Sequence, residues 1–194
     1  MKRNSVSKSS RYQASDDTYL ILDSLEGYQG ESALEIGVGS GIILEQLRKT
    51  FSLVIGTDIN LENLLFCNRS NNMEADLICC DGVSALAATQ KYDLIVSNPP
   101  YLPFEENESY DSAIHGGIIG SDKALEFIES AIDLLNRHGT ILILLSSLSD
   151  LPHFYTKVKS LGLSRRTILK KKLFFESLSV EEIRIRNTFL TNEA

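Results

Sequence analysis

Leu34-Glu35-Ile36-Gly37-Val38-Gly39-Ser40-Gly41 is the stretch on which the fold turns. An apolar run over residues 33–37 leads into three alternating glycines, and residues 41–49 then carry Ile42, Ile43, Leu44 and Leu47 in a helical pattern. A strand that passes through a glycine turn into a helix opens a βαβ crossover, because glycine lets the backbone turn sharply and approach a ligand closely. Two nucleotide fingerprints fail here. A dinucleotide motif would need glycine at position 42, where isoleucine stands, and the P-loop lysine is missing.

Outward from this turn, β-branched apolar runs alternate with helical patterns, the mark of an α/β fold with a largely parallel sheet. Strands are expected at residues 53–59, 75–81, 92–97 and 140–147, and their continuous apolarity suits strands covered on both faces. Helices are expected at 17–26, capped by Asp16 or Asp17, at 61–69 after the cap Asn60, at 123–136 and at 151–161. Two extended segments, 164–173 and 178–186, then follow across a short turn and pair most easily as antiparallel neighbours.

Three acids stand at strand ends on the side where open α/β sheets bind ligands. Asp58 is placed for ribose hydroxyls, and Asp81 for an adenine amino group. Glu35, just before the glycines, is placed to face a cationic group. The competing reading makes Asp58 and Asp81 ordinary helix N-caps. With Gly37, Gly39 and Gly41, and with Ile59 and Gly82 directly after Asp58 and Asp81, the acids read together as a cofactor cradle.

The fourth strand runs into Asn98-Pro99-Pro100-Tyr101. Two prolines withdraw two backbone donors and stiffen the chain, while asparagine keeps a donor and an acceptor. An amide or aromatic amine is a poor nucleophile because its lone pair is delocalised. The Asn98 side-chain oxygen and the Pro99 carbonyl suit its two N–H bonds, favouring release of that lone pair towards an electrophile. Tyr101 is placed to stack on the flat acceptor. Such chemistry rests on positioning and preorganised electrostatics more than on a general base.

This combination resembles the class I S-adenosylmethionine-dependent methyltransferases with an NPPY motif. Within them it is most similar to the archaeal and eukaryotic HemK-like glutamine methyltransferases that modify class I release factors. The resemblance runs from Tyr12 and Asp16-Asp17-Thr18-Tyr19 through the glycine turn, Thr57-Asp58-Ile59-Asn60 and the NPPY motif. It continues to Gly116-Gly117 and Glu176-Ser177-Leu178-Ser179-Val180. It implies a single-domain Rossmann-like fold with a seven-stranded, mostly parallel sheet in the order 3-2-1-4-5-7-6, strand 7 antiparallel and helices on both faces. It further implies S-adenosylmethionine as cofactor, S-adenosylhomocysteine as product, and the Gly-Gly-Gln glutamine of a release factor as acceptor. By position, Thr18, Glu35, Gly37, Asp58, Asp81 and Asn98 would meet the cofactor or the acceptor amide. Two family positions differ, with Ala14 and Asp16 standing where proline and glutamate are usual. Bacterial relatives carry an extra N-terminal helical domain, whereas about 30 residues precede the first strand here, which favours the archaeal or eukaryotic branch.

The bulk numbers agree with that outline. The 194 residues fit one domain, with residues 1–12 as a polar arm and 13–194 as the catalytic domain. A net charge of −7 disfavours nucleic acid, although an exocyclic base amine (adenine N6 or guanine N2) of RNA or DNA is the alternative acceptor. A local basic cluster, Arg165, Arg166, Lys170, Lys171 and Lys172, reads as a solvated strand. Three cysteines without CxxC spacing and three scattered histidines suggest a reduced cytoplasmic protein with no metal site. No apolar run is long enough to span a bilayer. The apolar edge strand at 75–81, with Leu77, Ile78, Cys79 and Cys80, invites a partner, for which the resemblance offers a small zinc-binding activator. An acidic loop with Glu105, Glu106, Glu108 and Asp111 would attract a basic protein surface and repel phosphate.

Overall fold

The computed structural model describes residues 15–70, 76–104 and 114–186. The expected arm, Ala14, Ala75 and the acidic residues Glu105, Glu106, Glu108 and Asp111 lie outside these. Helix α1 (Asp16–Ser24) is followed by β1 (Gly30–Ile36), α2 (Ile42–Leu47), β2 (Phe51–Asp58), α3 (Leu61–Ser70), β3 (Asp76–Cys79) and β4 (Tyr92–Ser97). Then come α4 (Asp122–Ala131), β5 (Leu135–Ser146), α5 (Leu151–Ser160), β6 (Leu163–Lys172) and β7 (Ser177–Ile185).

The seven strands form one sheet in the expected order, β3-β2-β1-β4-β5-β7-β6. Strands β1 to β5 pair in parallel, and β7 lies antiparallel between β5 and β6. Alternation along each strand feeds two cores. Leu34, Ile36, Ile95 and Ile143 pack on one face with Ile128 of α4 and Phe154 of α5. Ala33, Leu94, Val96 and Leu142 pack on the other with Ile21 of α1 and Leu44 of α2. Glu35 belongs by alternation to the second face, and this sets up its burial.

Local chemistry explains the helix ends and corrects two expectations. The extended Ser15 precedes α1, so Asp16 and Asp17 sit inside its first turn, where carboxylates favour the helix dipole, rather than at the cap. Asn60 does cap α3, its side-chain oxygen accepting the Glu62 N–H at 2.9 Å. Asp150 caps α5 by accepting the His153 N–H at 3.0 Å. The helix expected over 123–136 stops at Ala131, a 3-10 turn covers Ile132–Leu134, and β5 starts at Leu135 opposite Tyr92. Asp93 accounts for this. One of its oxygens accepts from the Asn136 side chain at 2.6 Å, and the other takes the Glu31 and Ser32 N–H groups.

The outer strands differ from a bare reading of their residues. The basic cluster lies on edge strand β6, and its two arginines are committed: Arg165 to Glu181 and Arg166 to Glu182, each at 2.8 Å. Strand β3 is the other edge, as expected, but only four residues long. Its Leu77 and Ile78 are half-buried against the two cores, so the solvent-facing apolar groups there belong to α3 instead. No helix among the described residues is long and apolar enough to cross a membrane.

Candidate active site

A cleft of about 340 Å³ opens at the C-terminal ends of β1, β2 and β4. That volume lies at the lower end of the usual range for small-molecule sites. Gly37 turns the chain out of β1 at φ +81°, where L side chains are strained, and an added Cβ would meet only open space. The backbone therefore leaves room beside the cleft. Gly37 and Val38 both donate to the Thr57 carbonyl, at 2.8 and 3.0 Å, locking the glycine turn to the end of β2.

Asp58 is the hinge of the cradle. One carboxylate oxygen accepts the Gly39 N–H at 2.8 Å and the Asn63 side-chain amide at 3.1 Å. The other accepts the Asn60 N–H at 2.8 Å. Both competing readings of Asp58 thus have a physical basis: it organises the start of α3 and it lines the cleft. Asp81 lines the cleft two residues beyond β3, with Lys123 of α4 at 3.6 Å from its carboxylate.

Glu35 has a different character. It is buried to 1 % exposure, and its Oε2 has no hydrogen-bond partner among the described residues. Burial, reinforced by the Asp58 charge, pushes its carboxyl well above the usual carboxylate range, against a backbone hydrogen bond from Leu44. An orphaned acceptor in the wall of a cleft is costly unless something cationic or donating meets it. The residues fit a ligand with a positive end near Glu35 and polar groups near Asp58 and Asp81.

The NPPY segment separates this cleft from a smaller pocket of about 80 Å³. That pocket is lined by Asp17, Tyr101, Leu102 and Ile114, and it shares Asn98, Pro99 and Pro100 with the cleft. The Asn98 side-chain nitrogen donates to Asp17 at 3.2 Å, which orients its amide. Asp17 itself is held by donors from its own helix start, the Thr18 N–H among them at 2.6 Å. Behind the motif, Ser97 donates to the Ile36 carbonyl at 2.9 Å, tying β4 to β1. Gly116 packs against the Pro100 and Gly120 carbonyls, where a Cβ would collide with backbone. This glycine serves close packing.

Of the residues singled out in the sequence, Thr18, Glu35, Gly37, Gly39, Asp58, Ile59, Asp81, Gly82, Asn98, Pro99 and Pro100 all line the cleft. Tyr101 lines only the smaller pocket. Gly41 lines neither; it precedes α2 in a left-handed conformation at φ +81°. Sequence reasoning missed Asp17, Asn63, Lys123 and Phe127. The adjacent acids at 16 and 17 carry a signal for the first, but an acid at a helix start also reads as a cap. The other three are brought in by tertiary packing and have no local signature.

The family model described as methyltransferase small domain matches residues 10–160. A Methanocaldococcus jannaschii protein, provisionally named a protein N5-glutamine methyltransferase, is 32% identical over 87% of this chain and 89% of its own length. The human methyltransferase HEMK2 is also 32% identical, over 87% of each chain. Among solved structures, the E. cuniculi Mtq2-Trm112 complex, described as responsible for methylation of the eRF1 translation termination factor, superimposes with a TM-score of 0.75. It is 25% identical and covers 90% of this chain and 98% of that one.

Proposed function

The chain belongs to the methyltransferase small domain family, and we propose that this S-adenosylmethionine-dependent enzyme methylates a glutamine side-chain amide in a class I release factor. The observation that carries the acceptor is the small pocket beside Asn98. At about 80 Å³, a quarter of the main cleft, it has room for one planar amide beside the Asn98 side chain. The relatives' names support the same acceptor, and the E. cuniculi neighbour acts on a termination factor.

S-adenosylmethionine supplies a methyl group on a positively charged sulfur. The protein's part is to bind and to aim. Glu35 faces the cationic end, Asp58 and its neighbour Ile59 hold the ribose side, and Asp81 with Gly82 holds the adenine side. With the Asn98 nitrogen held by Asp17, its carbonyl oxygen and that of Pro99 accept from the two amide N–H bonds. Those hydrogen bonds place the nitrogen lone pair towards the cleft. Tyr101 closes the flat face of the acceptor. Preorganised acceptors of this kind act where charge develops, and the proton that the methylated nitrogen sheds leaves along one of these hydrogen bonds to solvent.

We further propose that residues 13–194 act as one catalytic unit in the cytoplasm, where Cys67, Cys79 and Cys80 stay reduced. A small zinc-binding partner would pair with the β3 edge. Its landing area includes Leu61, Leu65 and Phe66 of α3, 55%, 42% and 41% exposed. The E. cuniculi neighbour, solved with Trm112, supports such an assembly. The test is incubation with methyl-labelled cofactor and release factor, ribosomal RNA or DNA, with and without a candidate partner. Label on release factor supports the assignment; label on nucleic acid, with release factor unmodified, favours the base-amine alternative.

A further inference from the structure

The β6–β7 hairpin ends in two residues, Phe174 and Phe175, closed by the Leu173 N–H donating to the Glu176 carbonyl at 2.8 Å. Turns favour glycine, proline, asparagine, aspartate and serine. Two phenylalanines there work against local propensity. They are also the most exposed large apolar side chains among the described residues, at 91% and 86%. The rings stand edge to face, centroids 4.6 Å apart, so the tip presents one shaped aromatic knob. A sequence that breaks a turn preference to expose apolar surface marks an interaction site rather than a packing need.

The knob's place follows from the register. Strand β7 is antiparallel to β5, with Ser146 opposite Leu178, and to β6, with Lys172 opposite Ser177. The tip therefore lies at the same end of the sheet as the C-terminus of β4, which carries Asn98. A chain of contacts ties it to the acceptor motif. Ser146 donates to the Glu176 carboxylate, and Ser147 exchanges hydrogen bonds with Ser177 at 2.8 and 2.9 Å. Ser149 donates to the Tyr101 carbonyl at 2.9 Å. Leu173 packs in the same cluster as Tyr101. Leu148, in the chain between Ser147 and Ser149, adds a further apolar side chain, 45% exposed. Lys170 and Lys172 lead into the tip and are both exposed.

We propose that Phe174 and Phe175 dock the folded protein that carries the acceptor amide, seating in an apolar depression bordered by acidic side chains. This rests on the reading of the enzyme as a protein methyltransferase. Continuity with the acceptor pocket selects this occupant: hydrogen bonds lead from the base of the hairpin through Ser147 and Ser149 to Tyr101, which follows β4. Exposed Lys170 and Lys172 supply the charge that acidic residues would meet. The knob reads the substrate's fold, while the pocket reads its amide.

The experiment compares the wild type with a Phe174→Ser/Phe175→Ser variant, with any required partner present. The substrates are intact release factor and a short synthetic peptide holding its Gly-Gly-Gln segment. Both rings are solvated, so the variant keeps its fold, and a Phe174→Tyr/Phe175→Tyr variant preserves the aromatic knob as a control. The expected result is a KM for intact release factor raised about tenfold or more, the scale of one interface hot spot. Turnover at saturation, cofactor affinity and activity on the peptide should stay unchanged, and the tyrosine variant should keep most of the wild-type KM. An unmoved KM overturns the proposal, as does an equal loss on protein and peptide. So does finding that the serine variant loses a self-association of the wild type, or its binding to anionic phospholipid vesicles, either of which gives the knob another occupant. If the wild type methylates neither substrate, the functional reading itself fails and the docking role falls with it.

Discussion

Replacing Glu35 by glutamine should strengthen the free protein and weaken its grip on the cofactor, two effects of opposite sign from one buried carboxyl. The carboxyl is fully enclosed, lies near Asp58 and has an oxygen without a partner among the described residues. Its folded-state pKa is raised, first by burial and then by the Asp58 charge. The folded state therefore holds the proton longer than the unfolded chain does. Between the unfolded value, about 4.3, and the raised folded value, stability must fall as pH rises. Each unit of that window costs about 1.4 kcal/mol. Glutamine has no such slope, so the variant's advantage should grow as pH rises above the unfolded value. Cofactor binding runs the other way, because a cation beside Glu35 favours the ionised form. Wild-type binding should therefore release a proton wherever the free enzyme holds Glu35 neutral, and affinity should rise with pH through that range. Losing one charged contact is worth about 1.5–3 kcal/mol, roughly a 10- to 150-fold weaker Kd. Denaturant unfolding at several pH values gives the first quantity, and calorimetry in buffers of different ionisation enthalpy gives the second. A Glu35→Gln protein that is less stable than wild type, or that binds cofactor equally well, would refute this reasoning.

Asp58→Ala should weaken S-adenosylmethionine binding by roughly 2–4 kcal/mol. Because Asp58 also holds the Gly39 N–H and the Asn63 amide, faster hydrogen exchange in the glycine turn should accompany the loss; unchanged affinity by calorimetry would leave Asp58 a helix cap alone. Asn98→Ala should abolish methyl transfer while cofactor Kd stays nearly the same, and turnover near the wild-type rate would contradict the role given to its amide. Gly56→Ala should cost about 1–3 kcal/mol in chemical denaturation, because the new Cβ would press on Val38, Leu44 and Leu77 at 2.6 to 3.1 Å in a packed core. A variant as stable as wild type would show that this layer relaxes easily.

The sheet was legible because its strands are buried on both faces and leave continuous β-branched runs, as in Leu94-Ile95-Val96. The strand order itself came through the family resemblance, not from periodicity. Leu135 shows where periodicity fails: it continues the helical stripe of Leu125, Ile128 and Ile132, yet pairs opposite Tyr92 because Asp93 captures the neighbouring Asn136. The cleft was legible where residue type carries the chemistry, as at Gly37, Asp58 and Asn98. Asp17 was hidden because an acid near a helix start has a common local use, and only the fold brings it to Asn98 across 81 positions. The phenylalanine knob looked like part of a strand-turn-strand segment. Its exposure depends on the three-dimensional path of the hairpin.

The proposed transfer is to the side-chain nitrogen of a protein glutamine. Its most direct measurement is mass spectrometry of release factor after reaction with the purified enzyme, its partner if one is needed, and S-adenosylmethionine. The expected product carries one added methyl, localised by fragmentation to the amide of the Gly-Gly-Gln glutamine and absent when that glutamine is replaced. Unmodified release factor, alongside methylated adenine N6 or guanine N2 in RNA or DNA treated in the same way, would contradict it.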